Sequence, residues 1–325
     1  MKRNIIMLLA TLSFVTPSLN ATAADKSMQN VATGKIASQK RISHTLAPGR
    51  VSSRQDVIGQ DAIDSTGAFN TDALQLGSSK ALIINQETGE TLYAKNTDTP
   101  TPIASVTKLM TAMVVLDAML PMDEYITVSE ADIDRLKGTT SRLRVGTSLP
   151  RAEMLRLALM ASENRAASAL ARHYPGGMSA FIQAMNYKAY GLGMLHSHFV
   201  DPTGLNSNNI STAEDLVKLV RAAYEYQEIR QETTTASQVV SINGSRNPMN
   251  FINTNALVRK GDWVIGLSKT GYISEAGRCL VMQAEVGGQQ LIIVLLDSVG
   301  KMTRIGDANR IRKWIENSYM TARMG

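Results

Sequence analysis

One stretch decides the fold: Pro102-Ile-Ala-Ser-Val-Thr-Lys-Leu-Met-Thr-Ala-Met-Val-Val-Leu-Asp117. From Ser105 to Leu120, apolar residues occupy most positions around the predicted helix, a pattern typical of a helix buried on every side. Lys108 is the only charged residue between Ser105 and Leu116. Because a fully buried helix needs other elements packed around it, this stretch predicts the centre of a helix-rich domain.

Working outward, both ends of the chain supply strands and the middle supplies helices. Apolar runs at 81–85 and 91–95 flank the turn Glu87-Thr88-Gly89 and predict a hairpin. Alternating or apolar runs separated by glycine-bearing turns predict three antiparallel strands at 263–269, 278–286 and 290–296. The predicted helices lie at 151–160, at 164–173, after the capping box Ser211-Thr-Ala-Glu214, and at 307–319. This order indicates an α/β (α+β) domain with one sheet built from both chain ends.

The composition indicates a mostly folded chain with an aliphatic core. Of 325 residues, 44% are hydrophobic and only 5% aromatic, while 17 are methionine. The net charge of +6 suits a polyanionic matrix rather than nucleic acid, since no basic patch is interleaved with aromatic residues. Cys279 is the only cysteine, so no disulfide can form within the chain, and its apolar neighbours predict a buried structural thiol.

The N-terminal sequence predicts export. A basic start at Lys2 and Arg3, an apolar run to Val15 and the small residues Ala21-Thr-Ala23 follow the order of a signal peptide, so we expect cleavage of residues 1–23. Residues 24–77 predict a flexible basic leader, which is either a spacer or a tether. We expect one domain at 78–320, with a helical subdomain at roughly 121–255, and a tail at 321–325. No later stretch reaches membrane-spanning length, so we expect a periplasmic protein without an integral membrane anchor.

Ser105 and Lys108 are the candidate nucleophile and base. Their spacing of three places both side chains on one face at the start of the buried helix. A serine hydroxyl attacks only when a base removes its proton, and a desolvated lysine has a lowered pKa that suits this task. The helix N-terminus also favours negative charge on the attacking oxygen and offers backbone N–H groups to an oxyanion. Ser298 and Lys301 repeat the spacing, but Lys301 lies beyond the last strand, and we expect that pair to be a coincidence at the surface.

Two further motifs extend the candidate site. Ser162-Glu163-Asn164 falls at the break between two predicted helices, where Ser162 and Asn164 either point into a cleft or act as helix caps. Lys269-Thr270-Gly271 lies at the end of a predicted strand, where the lysine and threonine can bind a substrate carboxylate and the glycine can admit a ligand backbone. The ordered set Ser-x-x-Lys, Ser-x-Asn and Lys-Thr-Gly carries more weight than any single member.

Residues 78–320 resemble the low-molecular-mass penicillin-binding proteins of the D-alanyl-D-alanine carboxypeptidase family, with long matches at 102–117, 158–167, 173–177 and 277–282. These stretches are similar above all to the endopeptidase members. The resemblance implies a β-lactamase/transpeptidase-like fold, in which a five-stranded antiparallel sheet flanked by helices lies beside an all-helical subdomain. It also implies that the site lies between these two parts and uses no cofactor and no metal.

The same resemblance assigns the roles. Ser105 would form the acyl-enzyme and Lys108 would accept its proton, while Ser162 and Asn164 would move the leaving-group proton and hold the substrate backbone. Lys269 and Thr270 would anchor the substrate carboxylate beside Gly271. The implied activity is that of a peptidoglycan endopeptidase cutting D-alanyl-diaminopimelyl cross-links, with stem peptides as substrate and β-lactams as covalent inhibitors.

Two departures from the family pattern favour the endopeptidase over the carboxypeptidase, which stays the main alternative. Carboxypeptidase members continue into a C-terminal β-domain and an amphipathic membrane helix, whereas this chain ends 54 residues after Gly271. Those members also carry an arginine after the last strand that grips a terminal carboxylate, and the nearest candidates here are Lys301 and Arg304.

Three other functions remain open. A class A β-lactamase needs a further carboxylate, and residues 165–200 contain no Asp or Glu, although Glu163 lies close. A penicillin-sensing module that does not turn over would normally be joined to a membrane helix or signalling segment. A zinc peptidase would rest on His196 and His198 alone, without the glutamate of a zinc motif. Asp201-Pro-Thr-Gly-Leu205 predicts a structural turn without a chemical role.

Overall fold

A computed structural model describes Phe69, residues 71–243 and residues 248–324. These residues belong to one compact unit, Asp56–Gly325. The predicted signal peptide at 1–23 lies outside the described residues, as does the leader up to residue 68. Near the predicted boundary at residue 78, the side chains of Leu74 and Leu76 are buried in the core, so the packed part of the chain includes the end of the expected leader.

The predicted hairpin, helices and C-terminal strands occur in the predicted order, and further short strands and helices lie between them. The strands are β1 (Ser78–Asn85), β2 (Thr91–Lys95), β3 (Thr101–Pro102), β4 (Tyr125–Thr127), β5 (Ser148–Pro150), β6 (Ile210–Ser211), β7 (Ser237–Val240), β8 (Met249–Ile252), β9 (Val264–Ile273), β10 (Gly277–Val286) and β11 (Gln289–Ser298). The α-helices are α1 (Lys108–Asp117), α2 (Arg151–Met160), α3 (Asn164–Arg172), α4 (Gly177–Gly191), α5 (Ala213–Tyr224), α6 (Gln227–Thr234), α7 (Ala256–Lys260) and α8 (Thr303–Met324).

The predicted five-stranded antiparallel sheet is confirmed. Its strand order is β2-β1-β11-β10-β9, so the first hairpin of the domain pairs with the last strand, through partners such as Ile83 and Ile293. Side chains alternate between the two faces of each strand, and both faces are covered. Leu82, Val294 and their neighbours face the helical part, whereas Ile83 and Ile293 pack with residues of α8 such as Ile311. The predicted flanking helices therefore bury the sheet from both sides.

The subdomain expected to be all-helical is mostly helical but also contains strands. Helices α2 to α6 make up most of it, and two small hairpins, β4–β5 and β7–β8, lie among them. Short polar strands such as Tyr125–Thr127 carry too little hydrophobic pattern to be recognised beside longer helices. The cap of α5 is Thr212 rather than Ser211, because the Thr212 side chain accepts from the backbone N–H of Asp215.

The central helix is shorter than the predicted 105–120 segment. Residues Ala104–Thr107 form a 3-10 turn and the α-helix begins at Lys108. All residues from Lys108 to Val115 are buried, which confirms the prediction of a helix enclosed on every side. Ser105 consequently lies in a tight turn one helical turn before Lys108, at the entrance of α1.

Candidate active site

Ser105 lies in a strained turn at the edge of the sheet. Ala104, the residue before it, has φ of +47°, an uncommon conformation for a residue with a side chain. Val106 N–H is bonded back to Ile103 O, so the Ser105 N–H precedes the first backward bond of the turn. The turn thus holds the hydroxyl and backbone N–H of Ser105 at the N-terminus of the buried helix, where negative charge is favoured.

Lys108 connects three parts of the site. Its Nζ lies 2.9 Å from Ser105 Oγ, 2.7 Å from Asn164 Oδ1 and 2.7 Å from the carbonyl oxygen of Thr203. A neutral amine has two N–H bonds and one lone pair. The two carbonyl-type oxygens can accept only N–H bonds, so the lone pair is left for the proton of Ser105. The contacts therefore orient a neutral Lys108 as a base toward the candidate nucleophile.

The electrostatic environment of Lys108 matches this role. Its side chain is 1% exposed. Burial lowers the pKa of Lys108 to about 7, and the carboxylates of Asp201 and Glu163 act in the opposite direction. Desolvation is the largest effect because a buried ammonium loses its hydration. Near neutral pH a large fraction of the lysine is therefore deprotonated, as a general base requires.

The loop Asp201–Leu205 has a chemical role, whereas its sequence predicts only a structural turn. The Thr203 carbonyl accepts from Lys108 Nζ, and the Asp201 carboxylate holds the loop by accepting from the backbone N–H groups of Thr203 and Gly204. Gly204 has φ of +81°, and a Cβ there would lie 1.9 Å from the Ala104 carbonyl oxygen. Only glycine allows this loop to lie against the turn that carries Ser105. The sequence Asp201-Pro-Thr-Gly predicts this turn, but it does not predict that the Thr203 carbonyl contacts Lys108 Nζ.

The Ser162-Glu163-Asn164 motif lies at the junction of α2 and α3, as predicted. Ser162 has φ of +59°, so its backbone is strained, and its Oγ accepts from Lys269 Nζ at 3.0 Å. Asn164 accepts from Lys108 with Oδ1 and donates with Nδ2 to Thr139 Oγ1 at 3.1 Å. Neither side chain caps α3, because no side-chain cap is formed at its N-terminus. The cleft interpretation of these residues therefore fits the geometry better than the capping interpretation.

Lys269-Thr270-Gly271 lies inside β9 and not at the end of a strand. The ladder between β9 and β10 continues beyond Gly271 to Ile273. Lys269 is 1% exposed, and its pKa lies well below its usual value because of burial, with the charges of Lys108 and Arg304 acting in the same direction. A Cβ on Gly271 would lie 3.0 Å from the Ser105 backbone nitrogen. The glycine thus admits the protein's own Ser105 turn, whereas we had expected it to admit a ligand backbone.

Arg304, in the first turn of α8, adds a second cation beside Lys269. Its Nε and Nη1 atoms are buried and form no hydrogen bond with the described residues. Burial lowers the pKa of Arg304, and the nearby Arg278 lowers it further. Buried guanidinium donors without a partner leave hydrogen-bonding capacity for an anion. Of the two candidates that follow the last strand, the structure brings Arg304 into the electrostatic environment of Lys269, while Lys301 is exposed.

The seven predicted site residues therefore form one continuous cluster. Ser105, Lys108 and Asn164 are joined through Lys108 Nζ, and Ser162 is joined to Lys269. The backbone of Gly271 touches the turn of Ser105, and Thr270 Oγ1 donates to Thr254 Oγ1 at 2.7 Å. The sequence profile of the D-alanyl-D-alanine carboxypeptidase peptidases matches residues 67–300.

The chain belongs to the D-alanyl-D-alanine carboxypeptidase family. Among its curated relatives, the D-alanyl-D-alanine endopeptidase of Pseudomonas aeruginosa is 46% identical over 76% of this chain and 80% of the relative. The D-alanyl-D-alanine endopeptidase of Escherichia coli K12 is 45% identical over 78% of this chain and 83% of the relative. The crystal structure of the DD-transpeptidase of Streptomyces K15 matches with a TM-score of 0.69 and 31% identity, covering 74% of this chain and 97% of that one. The predicted fold and the predicted class of serine peptidase are confirmed.

Within this D-alanyl-D-alanine carboxypeptidase fold, the glutamate considered for the β-lactamase alternative is engaged elsewhere. The Glu163 carboxylate accepts from Ser141 Oγ at 2.6 Å and from Arg142 Nε at 3.4 Å. Among the described residues, no group of three or more His, Cys, Asp or Glu side chains could hold a metal ion, so His196 and His198 have no third ligand. No helix in the described ranges is both long and apolar enough to cross a bilayer.

The repeated Ser-x-x-Lys spacing and the single cysteine also take definite places in this family fold. Ser298 is buried and forms a hydrogen bond of 2.7 Å with Ser78 Oγ, whereas Lys301 is exposed. Only the lysine of that pair thus lies at the surface, and it is not desolvated. Cys279 is buried as predicted, and burial raises the pKa of its thiol to about 11. At neutral pH this thiol is protonated and unreactive.

Proposed function

We propose that this protein hydrolyses D-alanyl-diaminopimelyl cross-links between peptidoglycan stem peptides through an acyl-enzyme on Ser105. The observation that carries the proposal is the position of Lys108 Nζ, which two oxygen acceptors orient toward Ser105 Oγ at 2.9 Å. Family membership supplies the reaction class, and the geometry supplies the role of each residue.

Acylation begins when the Ser105 hydroxyl gives its proton to the neutral amine of Lys108. The oxygen then bonds to the D-alanyl carbonyl carbon, and the negative charge on the carbonyl oxygen develops beside the Ser105 N–H. Collapse of the tetrahedral intermediate breaks the C–N bond, and the proton held by Lys108 passes to the leaving amine through the hydroxyl of Ser162, whose Oγ is bonded to Lys269. Lys108 is thereby neutral again. Water then attacks the ester with Lys108 again as base, which releases the D-alanyl carboxylate and restores the Ser105 hydroxyl.

The carboxylate of the leaving residue is expected to bind between β9 and α8. Arg304 supplies positive charge there, Lys269 Nζ offers N–H groups, and the Thr270 hydroxyl can rotate from Thr254 Oγ1 to donate to the carboxylate. The unpartnered Nε and Nη1 of Arg304 give this anchor directional donors. A carboxylate adjacent to the leaving nitrogen exists both in a terminal D-alanine and in the diaminopimelyl residue of a cross-link, so the anchor serves both substrates.

The relatives favour the cross-link over the chain end. The two relatives at 46% and 45% identity are both named endopeptidases, whereas carboxypeptidases of Bacillus subtilis and of Streptomyces K15 are 29% and 34% identical. Purified protein incubated with cross-linked muropeptide dimers is expected to yield monomers. Release of D-alanine from monomeric pentapeptides while dimers persist would instead establish the carboxypeptidase.

Binding of β-lactams follows from the same chemistry. A penicillin presents its strained carbonyl to Ser105 and leaves a slowly hydrolysed ester, because Glu163 is occupied by Ser141 and Arg142 and does not activate water. Ser105→Ala is expected to abolish covalent labelling by a fluorescent penicillin. Labelling that survives in this variant would refute Ser105 as the nucleophile.

The proposed place of work is the periplasm, where the substrate lies. It is supported by the signal-peptide pattern of residues 1–23. N-terminal sequencing of the protein from a periplasmic extract is expected to begin at Ala24. An intact Met1 in the cytoplasmic fraction would contradict export.

A further inference from the structure

A cavity of about 350 Å³ adjoins the candidate active site on its helical side. Two of its lining residues are Asn164 and Thr203, the same two residues that accept from Lys108 Nζ. Its other walls come from residues 131–136 and 200–206 and from helices α3 and α4, with no contribution from β9. The cavity thus continues the site away from the sheet.

Half of the residues that line this cavity are apolar. Five half-buried apolar side chains contribute: Ile133, Met178, Ile182, Val200 and Leu205. These side chains are partly exposed to solvent, so an aliphatic chain bound against them would remove apolar surface from water.

The carboxylates that line the cavity already have partners. Asp132 forms an ion pair with Arg172 at 2.8 Å, and Asp134 accepts from the backbone N–H groups of Leu136 and Lys137. Asp201 is engaged by the loop that it holds. These acids are thus engaged in holding the walls, and of the three only Asp132 has a cationic partner in an ion pair among the described residues.

Arg135 is different, because it lines the same cavity and its guanidinium forms no hydrogen bond or ion pair within the described ranges. It is exposed, as is its neighbour Leu136, which is 60% exposed and lines the cavity too. These two residues therefore lie at the solvent edge of the cavity. A chain that filled the cavity and ended in a carboxylate would meet a cation at this edge.

The orientation of the bound substrate determines which part of it can enter the cavity. The leaving residue is expected to lie near Lys269 and Arg304, so we place the acyl-donor stem toward the opposite side of the site, where Asn164 borders the cavity. We propose that the cavity binds the side chain of the diamino acid in the acyl-donor stem, with the aliphatic carbons along Ile133 and Ile182 and the terminal carboxylate at Arg135. This inference rests on the proposed function for the identity of the substrate.

Two penicillins test the inference without requiring hydrolysis of a cross-link. Their 6-acyl groups are straight aliphatic chains of equal length, one ending in a carboxylate and the other in a carboxamide. The second-order rate constant for acylation is measured for both. An exposed charge pair contributes up to about 1 kcal/mol, so the native protein is expected to prefer the carboxylate by about fivefold.

Arg135→Gln is expected to reduce this preference to about one while leaving acylation by the carboxamide unchanged. The matched control is Arg144→Gln, because Arg144 is also exposed but lines a different cavity beside Asn243. This control is expected to keep the full preference. The inference is overturned if the native protein shows no preference, if Arg135→Gln retains it, or if both variants lose it equally.

Failure of the proposed function would look different. In that case cross-linked dimers stay intact although the penicillins still acylate Ser105 with the Arg135-dependent preference. A cavity-filling variant, Ile182→Phe, adds a second measurement. It is expected to slow acylation by both long-chain penicillins while 6-aminopenicillanic acid, which has no acyl chain, reacts at the native rate. Equal slowing of all three would contradict binding of the chain in the cavity.

Discussion

Acylation of Ser105 is expected to rise about tenfold between pH 6 and pH 8, because the reactive form of Lys108 is the neutral amine. Burial lowers the pKa of Lys108 to about 7. With that pKa, about one-tenth of the lysine is neutral at pH 6 and about nine-tenths at pH 8, so the rate constant follows this ratio. The direction is fixed by the structure, since an ammonium cannot accept the proton of the serine hydroxyl.

The assay is stopped-flow acylation by a fluorescent penicillin, with the second-order rate constant measured at half-unit pH steps. Lys301→Met is the matched control, because Lys301 has the same spacing to Ser298 but is exposed, and its profile is expected to equal the native one. Lys108→Arg is expected to show no acylation over this range, because a guanidinium stays protonated. A rate constant that stays the same from pH 6 to 8, or that rises only near pH 10, would refute the assignment of Lys108 as the base.

Three further predictions concern stability and positioning. Between pH 7 and 10.5 an unfolded chain keeps the Lys108 proton that the native state has lost, so this group raises the free energy of unfolding by about 1.4 kcal/mol per pH unit. In urea titrations, Lys108→Met is therefore expected to remove about 3 kcal/mol of the increase in stability that the native protein shows between pH 7.5 and 9.5. Gly204→Ala is expected to lower the free energy of unfolding by about 3 kcal/mol or more, because the added Cβ meets the Ala104 carbonyl. The control Gly89→Ala, where φ is also positive but the space around the residue is open, is expected to lose only about 1 kcal/mol. Equal losses in thermal unfolding would contradict the contact. Thr139→Val is expected to slow acylation about fivefold by removing the acceptor of Asn164 Nδ2, and Thr139→Ser to restore it; a Val variant with the native rate would exclude a positioning role.

Hydrophobic pattern was sufficient for the large elements of the fold. The helix predicted at 151–160 coincides with α2, and the three predicted C-terminal strands are β9, β10 and β11. Errors occurred where side-chain pattern carries little information. The sequence predicts that the strand ends at Lys269-Thr270-Gly271, yet the ladder to β10 passes through these residues to Ile273, although lysine and glycine have a low strand propensity. Tertiary pairing overrides local preference there because the neighbouring strand is long and buried.

The residues of the site also fall into those that the sequence predicts and those that only the fold identifies. Side chains with a motif of their own, such as Ser105 and Asn164, could be identified from their order along the chain. The Thr203 carbonyl could not, since every residue has a carbonyl and only the fold decides which one meets Lys108. Arg304 was one of two candidates until α8 brought it near Lys269. No sequence motif indicates the role of Thr139, because the loop that carries it meets Asn164 only in the folded structure.

The two Ser-x-x-Lys pairs in this chain separate spacing from chemistry. Ser298 is buried against Ser78 and Lys301 is solvated, so the serine is inaccessible and the lysine has no reason to lose its proton. Ser105 and Lys108 have the reverse arrangement: the lysine is buried, and oxygen acceptors from two other segments take its N–H bonds. A spacing of three places two side chains on one face of a helix, but it does not lower a pKa. The chemistry is supplied by the loop at Thr203 and the helix at Asn164, which enclose Lys108 and leave its lone pair free for Ser105.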